Sequence, residues 1–273
     1  MNLQEKQNNM KLAAIEFANG EDINLVMQKY NVCYASVYNA LKKFNIPYEP
    51  KPTRRIFFDE SYFETIDSEE KAYWLGFIFA DGCILKTDKI VSAPNRVQIA
   101  LSEKDLTHLE KLKIATNYSG KIFIRKNSGT YSSGYNYCVL QFNSIKMASD
   151  LIKLNCVPNK TDKLAFPELR YDLYKHFIRG YFDGDGSIYV NKNSLRCTFQ
   201  ITSNPDTLLK IQEILIKECN LNKTKLCEYK RTTIAKDLKY GGHIQVKRIF
   251  DYLYTDATIF LERKYDKFAP LLS

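Results

Sequence analysis

Residues that build structural metal sites and disulfide frameworks are scarce or scattered in this chain. It has three histidines and seven cysteines, and no two cysteines form a Cys-x-x-Cys pair. Zinc ribbons need such pairs, and secreted disulfide scaffolds carry a denser, even-numbered cysteine set. The sequence therefore indicates an intracellular protein with reduced thiols, in the cytoplasm or an organellar matrix.

Long apolar runs are also missing. A membrane-spanning helix needs about 20 consecutive apolar residues, and no stretch of this chain approaches that length. The first residues, Met1-Asn-Leu-Gln-Glu-Lys, lack the apolar core of a signal peptide. We therefore expect a protein that is not secreted and has no membrane partner.

Positive charge, in contrast, is in excess. The chain has 40 Lys and Arg residues against 31 Asp and Glu residues, a net charge of +9. Its 273 residues, 45% of them hydrophobic, suffice for one large globular domain or a large domain plus a small one. Excess positive charge favours a polyanionic partner through phosphate contacts. Charge alone does not identify that partner, because many basic proteins bind no nucleic acid.

Residues 1–46 are predicted to form a small helical module, with helices over 10–18, 22–30 and 34–44. The three-residue turn before the last helix resembles a helix-turn-helix, whose second helix enters the major groove of DNA. On that helix Ala35, Asn39 and Lys42 lie opposite the apolar face, and we predict that they contact DNA. The alternative is a helical cap that makes no DNA contact.

Residues 47–58 differ from both flanking regions. They contain three prolines and three basic residues, a composition typical of a semi-rigid linker. Arg54 and Arg55 are predicted to follow a phosphate backbone. A plain solvated spacer is an equally good interpretation of the same composition.

A duplicated apolar segment that ends in Asp-Gly is the most informative pattern. Residues 74–82 and 178–186 each carry two small residues four positions apart, and they end in Asp81-Gly82 and Asp185-Gly186. Residues at i and i+4 share one helix face, so two such helices can pack backbone to backbone. The glycine is a typical helix C-cap, whereas the aspartate opposes the helix dipole. Carboxylates and terminal carbonyls together are good ligands for a hard cation.

Residues 59–166 and 167–273 repeat one larger pattern. Each Asp-Gly is followed by a strand of alternating polar and apolar residues, with Gln98 and Gln200 in matching contexts. Each copy also ends near a lysine: Lys160 lies 79 positions after Asp81, and Lys264 lies 79 positions after Asp185. We predict helices over 104–115 and 206–220, and further strands over 121–125, 136–142, 225–231 and 243–247.

Both Asp-Gly segments resemble the motif of the LAGLIDADG homing endonucleases, in the monomeric form that carries two motifs in one chain. The resemblance covers the chain from about residue 60 to the C-terminus and leaves the N-terminal module out. Phe79 departs from the motif, because the second copy has Asp183 at that position. The matching residues are Gly76, Ala80, Asp81 and Gly82 in the first copy, and Gly180, Asp183, Gly184, Asp185 and Gly186 in the second.

The resemblance implies an α+β fold, in which a pseudo-twofold duplicated αββαββα unit forms a DNA-binding saddle from two antiparallel sheets. It implies a site-specific double-strand DNA endonuclease that hydrolyses one phosphodiester per strand and leaves short cohesive 3′ overhangs. Asp81 and Asp185, with the carbonyls of Ala80 and Gly184, would hold Mg²⁺ or Mn²⁺. Lys160 and Lys264 would stabilise the pentacovalent phosphate or polarise the water network. The partner would be duplex DNA, bound by a functional monomer.

The polar strand faces are predicted to read the DNA sequence, since Gln can bond adenine and Arg can bond guanine in the major groove. The predicted contacts are Arg96, Gln98, Tyr189, Asn191, Arg196, Thr198 and Gln200. An ordinary solvent-exposed sheet would show the same alternation. Two other functions stay open: a non-cleaving DNA-binding transcription regulator of the same fold, and an RNA maturase that binds intron RNA and assists splicing.

Overall fold

The chain forms two compact units, residues 1–55 and 56–273. The computed structural model describes residues 3–48, 56–86, 93–126, 136–158, 164–191, 196–228 and 235–271. Lys160, Arg54 and Arg55 therefore lie outside the described residues. Within these ranges, none of the helices is both long enough and apolar enough to cross a membrane.

The first unit is a three-helix module: α1 spans Leu3–Ala18, α2 spans Ile23–Tyr30 and α3 spans Tyr34–Lys43. Asp22 caps α2 by accepting hydrogen bonds from the backbone N–H groups of Asn24 and Leu25. The three predicted helices are confirmed, but α1 begins well before the predicted residue 10. The sequence does not indicate this earlier start, because the first turns of α1 are polar and show no apolar period. The core of the three-helix module consists of Ala13, Ala14, Val26, Val37, Ala40 and Leu41.

The second unit repeats an αββαββα order, as predicted. The first copy is α4 (Glu69–Asp81), β1 (Gly82–Leu85), β2 (Arg96–Ser102), α5 (Leu106–Ala115), β3 (Phe123–Lys126), β4 (Asn136–Asn143) and α6 (Ile145–Lys153). The second copy is α7 (Tyr174–Asp185), β5 (Gly186–Val190), β6 (Cys197–Ser203), α8 (Pro205–Cys219), β7 (Cys227–Glu228), β8 (Lys236–Gly241) and α9 (His243–Tyr254). A short helix, α10 (Glu262–Tyr265), follows.

Each copy contributes one four-stranded antiparallel sheet, with strand orders β1-β2-β4-β3 and β5-β6-β8-β7. The two registers correspond, because Gly82 pairs with Ile99 and Gly186 pairs with Ile201. Alternate residues of β2 and β6 are buried, most of them apolar, such as Val97 and Phe199, and the residues between them stay at least partly accessible. The predicted α+β fold with two antiparallel sheets is thus confirmed.

One predicted strand is wrong. Residues 243–247 form the first turns of α9, and the last strand of the second copy is β8. Ile244 and Val246 alternate with polar residues, so a five-residue window shows a period of two. The longer run of buried residues, Val246, Ile249, Phe250 and Leu253, has the spacing of three to four that defines a helix face.

The two Asp-Gly helices lie at the centre of the second unit. Every residue of α4 from 72 to 80 is buried, and so is every residue of α7 from 177 to 183. A Cβ atom at Gly76 would overlap the carbonyl oxygen of Phe177, and one at Gly180 would overlap that of Tyr73. The small residues therefore let the two helix backbones touch, as the sequence predicts.

The glycines that end these helices have extended backbones. Gly82 has φ −78° and ψ 155°, and Gly186 has φ −78° and ψ 163°. They occupy the C-cap positions, but they do not adopt the left-handed conformation that usually selects glycine there. Glycine is required here because there is no room for a side chain: a Cβ at Gly82 would lie 2.6 Å from the carbonyl oxygen of Ile78.

Candidate active site at the ends of the two central helices

Asp81 and Asp185 are the last residues of α4 and α7, and each is followed directly by the first strand of its sheet. The close packing of the helices brings these ends together. Ala80 and Gly184 meet at the crossing, where a Cβ on Gly184 would overlap that of Ala80 and lie 3.3 Å from Asp81 Oδ2. Asp81 is half-buried, and Asp185 is exposed.

The charges of both carboxylates, Asp81 and Asp185, act on Tyr181. Its buried hydroxyl donates a hydrogen bond of 2.8 Å to Ser203 Oγ. Burial raises the pKa of Tyr181, and the negative charges of Asp185 and Asp81 raise it further. Two carboxylates thus share one electrostatic environment, at helix ends whose terminal carbonyls add negative potential.

This donor set fits a divalent metal ion that prefers oxygen ligands. Among the described residues there is no cluster of three or more His, Cys, Asp or Glu side chains. Mg²⁺ is commonly bound by one or two carboxylates, while water and substrate phosphates complete its shell. Asp81 and Asp185 match that pattern, whereas zinc would need more nitrogen or sulfur ligands than this site contains.

Lys264 lies beside the end of α7, within α10. Its side chain is only 5% exposed, and its ammonium donates to the carbonyls of Phe182 (2.7 Å), Gly184 (2.8 Å) and Gly186 (2.6 Å). Burial lowers the pKa of Lys264 to about 8, and Arg263 contributes to that lowering. The negative charge of Asp183 opposes it most, followed by those of Asp81 and Asp185.

A buried polar network at α7 is not predicted from the sequence. Asp183 is fully buried and accepts hydrogen bonds from Tyr73 OH (2.8 Å), Tyr254 OH (2.8 Å) and Leu261 N (2.7 Å). Burial raises the pKa of its carboxyl group, and these donors oppose that rise. Arg179, one turn earlier, is also fully buried. Arg179 and Asp183 are two charged residues spaced i and i+4 within an apolar run, and this spacing is the sequence signal from which the pair could have been predicted.

The predicted strand contacts lie on the outward faces of the two sheets. Tyr189 pairs with Thr198, and Asn191 N donates to the carbonyl of Arg196 at 2.7 Å. Arg96 donates from Nε to Asn143 Oδ1 at 3.0 Å. Gln98 and Gln200 occupy equivalent rows, and their strand neighbours Gln141 and Lys239 extend those rows. Only the register reveals these two neighbours.

The first unit presents the predicted α3 residues to its surface. Ala35, Asn39 and Lys42 are exposed, while Val37 and Leu41 are buried on the opposite side of the helix. Near the end of this unit Tyr48 stacks on Phe17, with ring centroids 4.9 Å apart. The beginning of the predicted linker therefore packs onto the helical module.

Comparisons with known proteins find relatives for part of this chain. Residues 172–238 match the LAGLIDADG-like domain family. The chain is 25% identical over 162 residues to an intron-encoded DNA endonuclease, ai2b, of Dictyostelium discoideum. That match covers 55% of this chain and 60% of the relative.

Two LAGLIDADG homing endonucleases are among the solved structures that match this chain. One is I-LtrWI bound to its target DNA, at 14% identity and a TM-score of 0.46, covering 78% of this chain and 90% of that one. The other is I-GzeII in complex with a DNA target, at 14% identity and a TM-score of 0.47, covering 74% and 88%. The family match includes α7 and Asp185, so the resemblance of this chain to the LAGLIDADG proteins is confirmed for residues 172–238.

Proposed function

We propose that this protein is a site-specific double-strand DNA endonuclease that needs a divalent metal ion. The observation that carries the proposal is the pairing of Asp81 and Asp185 at the touching ends of two equivalent helices. Two carboxylates at one crossing give each DNA strand an acidic group, and the two cuts would lie a short distance apart. Short cohesive 3′ overhangs are the expected product.

The two sheets supply the DNA-binding surface in this proposal. Their outward faces carry polar and basic side chains, such as Gln98 and Arg96 on β2 and Gln200 and Thr198 on β6. Amide and guanidinium groups on a strand can bond base edges in the major groove. The net charge of +9 supports phosphate contacts along the duplex. The name of the Dictyostelium relative, an intron-encoded DNA endonuclease, points to the same substrate class.

Asp81 and Asp185 would hold Mg²⁺ or Mn²⁺, and a bound metal ion would stabilise the charge that develops on the phosphate and the departing oxygen. The carbonyls of Ala80 and Gly184 are the further predicted ligands. Gly184 already accepts a hydrogen bond from Lys264, so only its second lone pair is open to a cation. Lys160 is the proposed counterpart of Lys264 in the first copy. Because one chain holds both halves, we propose a functional monomer.

The test starts with duplexes selected by binding from a random DNA pool, since the target sequence is unknown. The purified protein is then incubated with a plasmid carrying the selected duplex, with and without Mg²⁺. We expect linear plasmid only with the metal ion. Asp81→Asn and Asp185→Asn should bind the duplex with affinity close to that of the wild type and make no double-strand break.

Asp172→Asn is the matched control, because this exposed aspartate pairs with Arg170 just before α7. It should cleave like the wild type. Binding without cleavage by the wild type, in Mg²⁺ and in Mn²⁺, would favour the regulator instead. Full cleavage by both active-site variants would refute the roles of Asp81 and Asp185.

A further inference from the structure

The ammonium of Lys264 has no donor left for DNA. A lysine has three N–H donors, and all three point to backbone carbonyls, those of Phe182, Gly184 and Gly186. Two of these carbonyls flank Asp185 in the chain. They belong to the end of α7, where helix carbonyls lack intrahelical partners and a cation offsets the helix dipole.

The segment that leads to Lys264 is fastened to the central helices at three points. Glu69 accepts a hydrogen bond of 2.9 Å from Thr258 N. Arg179 Nε donates to the carbonyl of Ile259 at 2.9 Å, and Asp183 accepts one of 2.7 Å from Leu261 N. Three consecutive anchors over four residues fix the path of the chain immediately before α10.

Asp183 also supplies the strongest favourable charge near Lys264. Among the acidic groups that raise the pKa of this lysine, Asp183 ranks before Asp81 and Asp185. An isolated buried charge is costly, and it is tolerated only where opposite charge and hydrogen bonds surround it. Asp183 and Lys264 compensate each other in this way, each with three hydrogen bonds of its own.

The helix of the first copy, α4, has apolar residues in place of Arg179 and Asp183. The residues 104 positions before Arg179 and Asp183 are Leu75 and Phe79. Both are buried among apolar side chains, and Phe79 packs edge-on against Phe177 with ring centroids 5.1 Å apart. The two helices, α4 and α7, are therefore equivalent in backbone. They differ in the side chains of α7 that hold residues 259–261, the segment before α10.

We propose that Asp183 and Lys264 are positioning residues that hold Asp185 from the protein interior, and that they serve only one of the two half-sites. Asp183 fixes the segment before α10, and Lys264 then clamps the carbonyls on both sides of Asp185. The lysine thus stabilises a helix end rather than the phosphate. This inference rests on the proposed endonuclease function and specifies which residues prepare its second half-site.

Salt dependence of DNA binding, measured without any divalent metal, separates the two roles of Lys264. A lysine that contacts a phosphate contributes about one to the slope of log Kd against log salt concentration. We expect Lys264→Met to keep the wild-type slope, because its ammonium faces carbonyls. Arg196→Gln, which removes an exposed charge on the sheet surface, is the positive control and should lower the slope by about one. A loss of the same size in Lys264→Met would overturn the positioning role.

Strand-specific cleavage tests the second claim. The selected duplex is labelled differently on its two strands, and single-turnover rates are measured for each strand with Mg²⁺. Asp183→Asn and Lys264→Met should slow the same strand, the one most affected by Asp185→Asn, by about tenfold or more, which corresponds to about 1.4 kcal/mol. The other strand should change by less than about threefold, and the DNA affinity should stay within about twofold.

Tyr62→Phe is the matched control, since it removes a buried hydroxyl that has no hydrogen-bond partner in the described structure. Equal slowing of both strands would refute the restriction to one half-site. If Lys264→Met does not fold, Asp183→Asn carries the strand test, because its side chain keeps the same size. If the wild type cleaves no DNA, the endonuclease function fails, while the salt slope still decides the role of Lys264.

Discussion

His108, Tyr73 and Asp183 form a chain of buried polar groups that joins the two halves. Tyr73 OH donates to Asp183 Oδ2, and His108 Nε2 lies 2.9 Å from the same hydroxyl. Because the phenolic proton points to the carboxylate, the imidazole must donate from Nε2, which leaves Nδ1 as the unprotonated nitrogen. Nδ1 is buried and has no partner in the described part of the chain. A second proton on this ring would therefore be buried and uncompensated.

This environment makes the stability of the protein sensitive to acid. Burial lowers the pKa of His108 to about 3, and Lys111 adds to that lowering. The unfolded chain binds a proton at this ring near pH 6.5, whereas the folded protein does so only near pH 3. Stability therefore falls as the pH drops from 6.5 towards 3. The charged groups that act on this ring are Asp105, Lys111, Glu262 and Arg263.

We expect His108→Gln to remove about 2 kcal/mol of the stability difference between pH 7 and pH 5, since each pH unit below 6.5 is worth about 1.4 kcal/mol. Urea unfolding of the wild type and the variant at both pH values measures it. Asp183 has a raised pKa and acts in the opposite direction, but it is present in both proteins. An equal pH dependence in the two proteins would contradict the assignment of a neutral His108.

At the scale of elements, the contact of α4 with α7 depends on the absence of side chains. Gly180→Ala should destabilise the protein by about 3 kcal/mol or more, because the new methyl group meets the backbone of Tyr73 and neither helix can move without opening the core. Chemical denaturation measures the loss. Gly241→Ala is the control, since its Cβ would come no closer than 3.8 Å to a neighbouring atom. Comparable losses in both variants would show that the helix crossing has room to adjust.

The same elements show which features the sequence can predict. The spacing of the small residues predicts the close crossing of α4 and α7. The glycine that follows Asp81 and Asp185 predicts that each aspartate lies at a helix end. Both signals are local in the sequence. The partners of Asp183 are not local: Tyr254 and Leu261 lie 71 and 78 positions away. The rows that pair Gln98 with Gln141 and Gln200 with Lys239 likewise depend on register, which no single strand contains.

At the scale of the whole molecule, two units have separate hydrophobic cores. The boundary between them is set by residues near the end of the predicted linker. The backbone N–H of Phe57 donates to Ser119 Oγ, and its carbonyl accepts from Ser119 N. Phe58 packs on Tyr118 and Phe142. A truncation that preserves the second unit must therefore keep residue 56 and everything after it.

Deleting residues 1–55 should leave the second unit folded and its cleavage position unchanged, because all described residues of the central site lie beyond residue 56. We expect the DNA affinity to fall by about tenfold or more and the nuclease footprint to shorten, since the exposed face of α3 is lost. In the full chain, Asn39→Ala with Lys42→Ala should reproduce most of the loss. Lys29→Gln is the control, because Lys29 lies on α2 and pairs with Glu16. An unchanged footprint would make the first unit a helical cap that does not touch DNA.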